Sequence, residues 1–339
     1  MPVRRGKRLR VGVIFGGRSG EHEVSLVSGK AVMAHLDRGK YQVTPILISR
    51  EGAWTPDWTA LRGLDVVFPV LHGPYGEDGT IQGMLEMLGL PYVGAGVLGS
   101  AAAMDKEVAK RLFLASGLPV GPYVTVDATE WSAAPRKATA RIEKALRYPI
   151  FVKPANMGSS VGISKVRGRA GLAAALREAF RFDDKLVIEQ GIEAREIECA
   201  VLGNRDPQAA APGEVIPGRE FYDYAAKYAD AGSRTLVPAP IPARTARAVR
   251  ELAVRAYQAC GCEGLARVDF FLARRTGKLY LNEINTMPGF TSISMYPMMW
   301  AASGVPFPAL LDRLIGLALE RSRRRGRRRV LPSRVPINV

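Results

Sequence analysis

Apolar residues in this chain fall into runs, alternations and helical spacings, and these divide it into elements. Val11-Gly12-Val13-Ile14-Phe15 is a continuous apolar run, as in a parallel strand buried on both faces. Gly16-Gly17-Arg18-Ser19-Gly20 turns the chain, and residues 21–36 read as a helix with acids in the first turn and Ser19 as its N-cap. Residues 41–49 and 65–71 predict a second and third strand, residues 81–88 a short helix and Tyr92-Val93 a further short strand. Strand, glycine turn and helix open a doubly wound α/β unit. The turn lacks the full G-x-G-x-x-G, so dinucleotide binding is not supported.

Small residues at 94–103 mark a boundary. Beyond it the pattern predicts helix at 105–116, strand at 120–126, mostly helix at 131–146, a strand at 148–152, helix at 169–182 and strand at 186–190. A third unit starts with a strand at 196–202, passes through a loop-rich polar stretch at 209–236, and continues as a helix at 245–260 with Val249, Leu252, Ala253 and Ala256 on one face. Residues 264–285 read as a β-hairpin turning at Thr276-Gly277. The organisation expected is 1–103, 104–192 and 193–320, with a flexible basic tail at 321–339.

Composition narrows the function classes. With 339 residues and 47% apolar content the chain suits a soluble protein of two or three domains. No apolar run approaches the roughly 18 residues of a membrane span, and the run at 11–15 is too short for a signal-peptide core, so a cytoplasmic protein without a membrane partner is expected. Cys199, Cys260 and Cys262 have no zinc spacing and read as reduced thiols. The net charge of +16 resides mostly at the ends, in seven arginines between Arg321 and Arg329 and five basic residues between Arg4 and Arg10. The body is therefore only mildly basic, and no interleaved aromatics form a base-stacking platform, so specific nucleic-acid binding is not expected.

Two stretches carry chemistry. The first is Lys153-Pro154-Ala155-Asn156-Met157-Gly158-Ser159-Ser160-Val161-Gly162, a lysine at a strand end followed by a loop whose backbone N–H groups can approach phosphate oxygens. The lysine precedes the glycines, so this is not a P-loop. The second is the hairpin. Glu283 and Asn285 share a strand face, and an unbulged hairpin symmetric about residue 276 would set Asp269 opposite Glu283. Three hard oxygen ligands among Phe, Leu and Ile suit Mg²⁺ or Mn²⁺, although a solvated charged face has the same composition. Arg267 shares the face and would either stabilise charge on a transferring group or neutralise the acids.

Together these residues resemble the ATP-grasp superfamily, and more closely the D-alanine–D-alanine ligases. The resemblance runs from Phe15 to about Pro308, through the segments at 16–25, 71–79, 104–106, 153–164, 194–198, 221–228 and 282–292. It implies an ATP-grasp architecture: a Rossmann-like N-terminal domain, a small central domain and a larger C-terminal domain, with ATP between the last two. It implies ATP-dependent ligation of two D-alanines through a D-alanyl phosphate, for peptidoglycan precursors, by a homodimer using two Mg²⁺ or Mn²⁺ ions.

By the family pattern Glu21 receives the first substrate's ammonium with His72 nearby, and Glu21, Ser159 and Tyr228 form a hydrogen-bonded trio. Lys106, Lys153, Ser159 and Ser160 hold phosphates, Glu189 and the Ile192 backbone read adenine, and Glu196 reads the ribose. Lys227 meets the transferred phosphate, Arg267 and the Gly289 N–H hold the oxyanion, and Ser294 takes the second carboxylate. Asp269, Glu283 and Asn285 bind the metal ions. Glu21 as a helix-end acid, His72 as a satisfied loop histidine and Ser294 as a cap are the plainer roles. Tyr228 favours D-alanine as second substrate, Met295 stands where part of the family has leucine, and a loop at 217–235 is expected to close over ATP.

Overall fold

The structure is a computed structural model and describes residues 8–218, 233–291 and 293–326. The N-terminal unit is a four-stranded sheet of β1 (Leu9–Gly16), β2 (Tyr41–Ile48), β3 (Trp54–Thr55) and β4 (Val66–Pro69), in the order β3-β2-β1-β4. β1 runs parallel to both β2 and β4. Val11, Val13, Ile14 and Val66 to Phe68 are fully buried, as a two-sided parallel sheet requires. Helices α1 (His22–His35), α2 (Thr80–Met87) and α3 (Val97–Met104) complete the unit. The short strand expected at Tyr92-Val93 is a single bridge from Tyr92 to Val67. Ser19 does not cap α1; its hydroxyl donates to the His72 carbonyl at 2.6 Å and accepts from the Glu21 N–H at 3.2 Å.

After α4 (Lys106–Ala115), capped by the Asp105 carboxylate on the Glu107 and Val108 N–H groups, comes a small central unit. Its sheet of β5 (Tyr123–Asp127), β6 (Ile150–Pro154), β7 (Ser164–Val166) and β8 (Lys185–Gln190) has the order β5-β8-β6-β7, with every pairing antiparallel. The helix expected at 131–146 is two helices, α5 (Ala128–Ala133) and α6 (Pro135–Ala145), because a proline opens a helix far better than it continues one. With α7 (Arg169–Ala179) they bury Val126, Ile142, Val152, Leu172, Leu176 and Ile188. α4 packs elsewhere: Ala109 and Phe113 lie in the core of the third unit.

That unit is a six-stranded sheet of β9 (Ala194–Gly203), β10 (Gln208–Ala209), β11 (Gly213–Ile216), β12 (Arg234–Leu236), β13 (Gly264–Ala273) and β14 (Leu279–Asn285), ordered β12-β11-β9-β13-β14 with β10 also on β9. α8 (Ala243–Ala259) covers one face through Val249, Ala253, Ala256 and Tyr257. The other face shares one core with the N-terminal sheet: Tyr296, Met299 and Trp300 of α9 (Met295–Ala302) and Leu310, Leu311 and Leu314 of α10 (Phe307–Gly326) pack with Val11, Val13 and Phe68. Among the described residues no single helix is long and apolar enough to cross a membrane; α9 and α10 pass only as a pair bent by 103°, and their apolar residues are core.

The tail expectation is corrected at its start. Residues 321–326 continue α10. Arg321 is buried, donates to the Gly94 and Tyr92 carbonyls and lies 4.3 Å over the Tyr92 ring, while Arg324 pairs with Glu263 and Arg325 with Glu86. An arginine stem buries apolar length while its fork satisfies carbonyls, so a run that reads as solvated can start as a structural contact. Residues 327–339 lie outside the described residues.

Candidate active site

The three units surround a cleft of about 1440 Å³, and every predicted site residue inside the described stretches lines it. Lys227 and Tyr228, with Tyr222 and Tyr224, lie outside the described residues.

The hairpin forms the floor. Asp269 pairs with Glu283 and Arg267 with Asn285, as the sequence predicts, but for a different reason. The turn has Ala273 paired back to Lys278, and a bulge between Asp269 and Phe270 makes Asn282 an extra residue. The bulge restores the register that a symmetric loop was expected to set, and it lies beside the acids. On the other side Asp269 pairs with Glu198 of β9, so Glu198, Asp269 and Glu283 form one row across three strands.

Three acids in a row require a counter-charge. Arg267 provides it, donating to Asp269 Oδ1 at 2.7 Å and Oδ2 at 2.6 Å with Nε 3.0 Å from Glu198. Asn285 donates to Asp269 Oδ2 at 3.0 Å. Burial alone would lower the Arg267 pKa, but Asp269 and Glu198 outweigh it and hold the guanidinium charged. Among the described residues no three His, Cys, Asp or Glu side chains gather as a ligand cluster. The candidate donor set is instead two carboxylates and an amide. All its donors are oxygen, as hard divalent cations prefer.

The second wall joins α4 to the central sheet. Lys153 at the end of β6 donates to Glu189 Oε2 at 2.8 Å, and Lys110 stands 2.9 Å from Glu189 Oε1. Burial would raise the Glu189 carboxyl, but the two lysines override it and hold it at about 2. Lys110 also donates to the Asn282 carbonyl at the bulge, at 3.2 Å, tying α4 to the floor. Lys106 donates to the Met157 carbonyl at 2.6 Å and so holds the glycine-rich loop. In that loop Ser159, Ser160 and Gly162 have φ of 48°, 60° and 70°. Left-handed conformations are uncommon for serine and concentrate where backbone must face a ligand.

The third wall is the N-terminal unit. Glu21 stands at the N-cap position of α1 but makes no side-chain cap bond. It turns to the glycine-rich loop: a Cβ on Gly158 would come within 2.5 Å of its Oε1. His72 has both ring nitrogens engaged, Nδ1 at 2.8 Å from the Met287 carbonyl and Nε2 at 3.0 Å from Ser28 Oγ. It borders the cleft as the satisfied histidine of the plainer reading. Ser294 likewise caps nothing with its side chain; its Oγ accepts from the Thr291 N–H at 3.0 Å, and a Cβ on Gly289 would come within 3.1 Å of it.

Sequence reasoning missed Glu198, Lys110 and Glu77. Glu198 was legible, two residues from Glu196 on one strand. Lys110 lies one helical turn after Lys106 and resembles any exposed helix lysine, yet it is 2% exposed. Glu77 lay unassigned within the glycine-rich segment at 71–79.

The chain matches the family models described as D-ala D-ala ligase N-terminus, over residues 10–62 and 57–95, and D-ala D-ala ligase C-terminus, over residues 112–316. It is 53% identical to a D-alanine–D-alanine ligase of Solibacter usitatus, with 94% of this chain and 98% of that one covered. It is 48% identical to a D-alanine–D-alanine ligase of Caldicellulosiruptor bescii, with 94% and 97% covered. Among solved structures, the D-alanine-D-alanine ligase of Coxiella burnetii superposes with a TM-score of 0.82 at 38% identity over 94% of this chain and 96% of that one. The VanG D-Ala:D-Ser ligase of Enterococcus faecalis superposes with 0.83 at 37% identity, over 92% and 100%. The fold, the cleft and these similarities together make the chain a member of the D-alanine–D-alanine ligase family.

Proposed function

We infer that this enzyme joins two D-alanines into D-alanyl-D-alanine for the peptidoglycan precursor, in the cytoplasm, cleaving ATP to ADP and phosphate. A carboxylate is a poor electrophile, so the first D-alanine carboxylate takes the γ-phosphoryl group as the bond to ADP breaks. The amine of the second attacks the resulting acyl carbonyl, loses a proton and expels phosphate as the peptide bond forms. The observation that carries the reading is the hairpin row of Asp269 and Glu283 with Arg267, facing the lysine-flanked glycine loop across one cleft.

The residue roles are those that the family resemblance implies. Glu21 takes the first ammonium, and Ser294 the second carboxylate. Lys106, Lys153, Ser159 and Ser160 meet the phosphates, with Glu189, Ile192 and Glu196 around adenine and ribose. Arg267 and the Gly289 N–H stabilise the oxyanion of the tetrahedral intermediate. The family resemblance would add Tyr228 to a trio with Glu21 and Ser159, and Lys227 at the transferred phosphate; both lie outside the described residues. The all-oxygen set of Asp269, Glu283 and Asn285 fits two Mg²⁺ or Mn²⁺ ions, which when bound screen the phosphate charges. His72 supports the neighbouring backbone. A homodimer is the family's expectation; Met87 of α2 and Leu98 of α3, 91% and 74% exposed, are apolar side chains open to such a contact. ATP would lie between the central and C-terminal units.

Coupled ADP release, measured with D-alanine alone and with D-serine or D-lactate added, tests the reading. ADP formation dependent on D-alanine is expected; none with D-alanine overturns it. A rate increased many-fold by D-serine or D-lactate reassigns the second substrate.

A further inference from the structure

Residues 286–290 open the connection from β14 to α9 and carry Gly289. The N-terminal unit holds the backbone of this loop. Glu77 Oε1 accepts from the Met287 N–H at 3.0 Å while its Oε2 accepts from the Gly73 N–H at 2.7 Å. His72 Nδ1 is 2.8 Å from the Met287 carbonyl, and its Nε2 is 3.0 Å from Ser28 Oγ. Ser28 Oγ in turn accepts from the Phe290 N–H at 3.2 Å.

The protons of this network can be ordered in one way. A carbonyl only accepts, so Nδ1 of a neutral His72 carries the hydrogen. Nε2 then accepts from the Ser28 hydroxyl, whose oxygen is left for Phe290. Burial favours the neutral ring. Glu77, His72 and Ser28 are 8%, 3% and 0% exposed, so water does not replace these bonds cheaply. Phe290 is locked as well, its ring packed 5.6 Å from Phe68 of β4 and 5.5 Å from Tyr296. The bonds fall two residues before Gly289 and one residue after it.

We propose that Glu77 and Ser28, with His72 between them, are positioning residues: they fix loop 286–290 from the neighbouring unit and so aim the Gly289 N–H at the acyl carbonyl. The proposal rests on the oxyanion role given to Gly289 above. A donor displaced by a fraction of an ångström loses its catalytic effect while substrate binding elsewhere persists.

The test uses Ser28→Ala and Glu77→Met on the full chain. Hydrogen exchange of residues 286–290 is read by mass spectrometry, alongside kcat, the KM for ATP and the melting midpoint. Each variant should speed exchange in that segment and lower kcat by about tenfold to a hundredfold, with the KM for ATP within about twofold. Unchanged exchange overturns the proposal, as does unchanged kcat despite faster exchange. A kcat loss matched by a rise in the KM for ATP and a lowered melting midpoint also overturns it, because that is general destabilisation. If Glu77→Met does not fold, Ser28→Ala decides. If the parent enzyme releases no ADP with D-alanine, the functional reading fails separately, and exchange still judges the clamp.

Discussion

On the floor of the cleft Arg267, Asp269 and Asn285 hold one another at 2.6 to 3.0 Å, and the loop that follows is bonded to a second unit. On the facing wall residues 156–163 are all half-exposed, with two serines in left-handed conformations and the backbone held at Met157 by Lys106. The floor carries the groups read as stabilising new charge, which act best when they need no reorganisation. The opposite wall is the one read as receiving a large polyphosphate, which it would have to admit and release, as a glycine-rich backbone allows. One side is therefore rigid through paired charges and the other adaptable through composition.

The sharpest way to break this contrast is Arg267→Ala. Turnover by ADP release should fall by about a thousandfold or more. The same change leaves Asp269 and Glu198 without their buried partner, so chemical denaturation should show a loss of about 3–5 kcal/mol. Normal turnover would remove the arginine from the mechanism, and normal stability would mean that the acid row needs no counter-charge.

Second comes a pH effect at Glu77, which holds the loop that follows the floor. Burial, and then the nearby Glu21, push the Glu77 carboxyl up from about 4.5 to about 8, against the pull of the Gly73 and Met287 N–H groups and Arg267. A carboxyl whose pKa rises on folding binds its proton more tightly in the native state. Its contribution is then fullest below about 4.5 and is lost as pH rises to about 8. Urea titrations across this window should show parent stability declining relative to Glu77→Gln by up to about 1.4 kcal/mol per pH unit. A constant difference would refute the raised pKa.

On the opposite wall the effects shrink. A Cβ at Gly158 meets only the tip of the Glu21 side chain, which can move. Gly158→Ala should raise the KM for D-alanine by about tenfold at most, with less than about 1 kcal/mol change in stability. A large stability loss would show this wall to be as rigid as the floor. The smallest effect serves as the control. Gly277 at the hairpin turn has φ of 67° and open space around its Cα, so Gly277→Ala should cost about 1 kcal/mol from backbone strain alone and leave kcat unchanged.

Local pattern was enough for much of the floor. Residues two apart share a strand face whatever the fold, so Arg267 with Asp269, and Glu283 with Asn285, were legible from spacing. The pairing of Asp269 with Glu283 was also legible, but the bulge at Asn282 was not, because a bulge depends on how both strands fit their neighbours. α9 and α10 escaped prediction: the first is apolar on every side and shows no stripe, whereas the second carries one at Leu310, Leu311, Leu314, Ile315 and Ala318 and was legible by spacing. Lys110, Glu77 and Arg321 are charged residues that read as surface and are buried. Their partners lie far along the chain, in β14, in the loop after it and at Gly94.

By itself the sequence determined the periodic elements, the opening strand–turn–helix, the lysine–glycine loop and the oxygen-rich hairpin, since each depends on neighbours a few residues apart. Only the tertiary structure decided that His72 and Glu77 grip the backbone beyond β14, that Glu198 extends the acid row, and that the first arginine of the tail, Arg321, is a core contact. A buried charge or ring nitrogen is tolerated only where a partner waits, and that partner comes from a segment brought near by the packing of whole units.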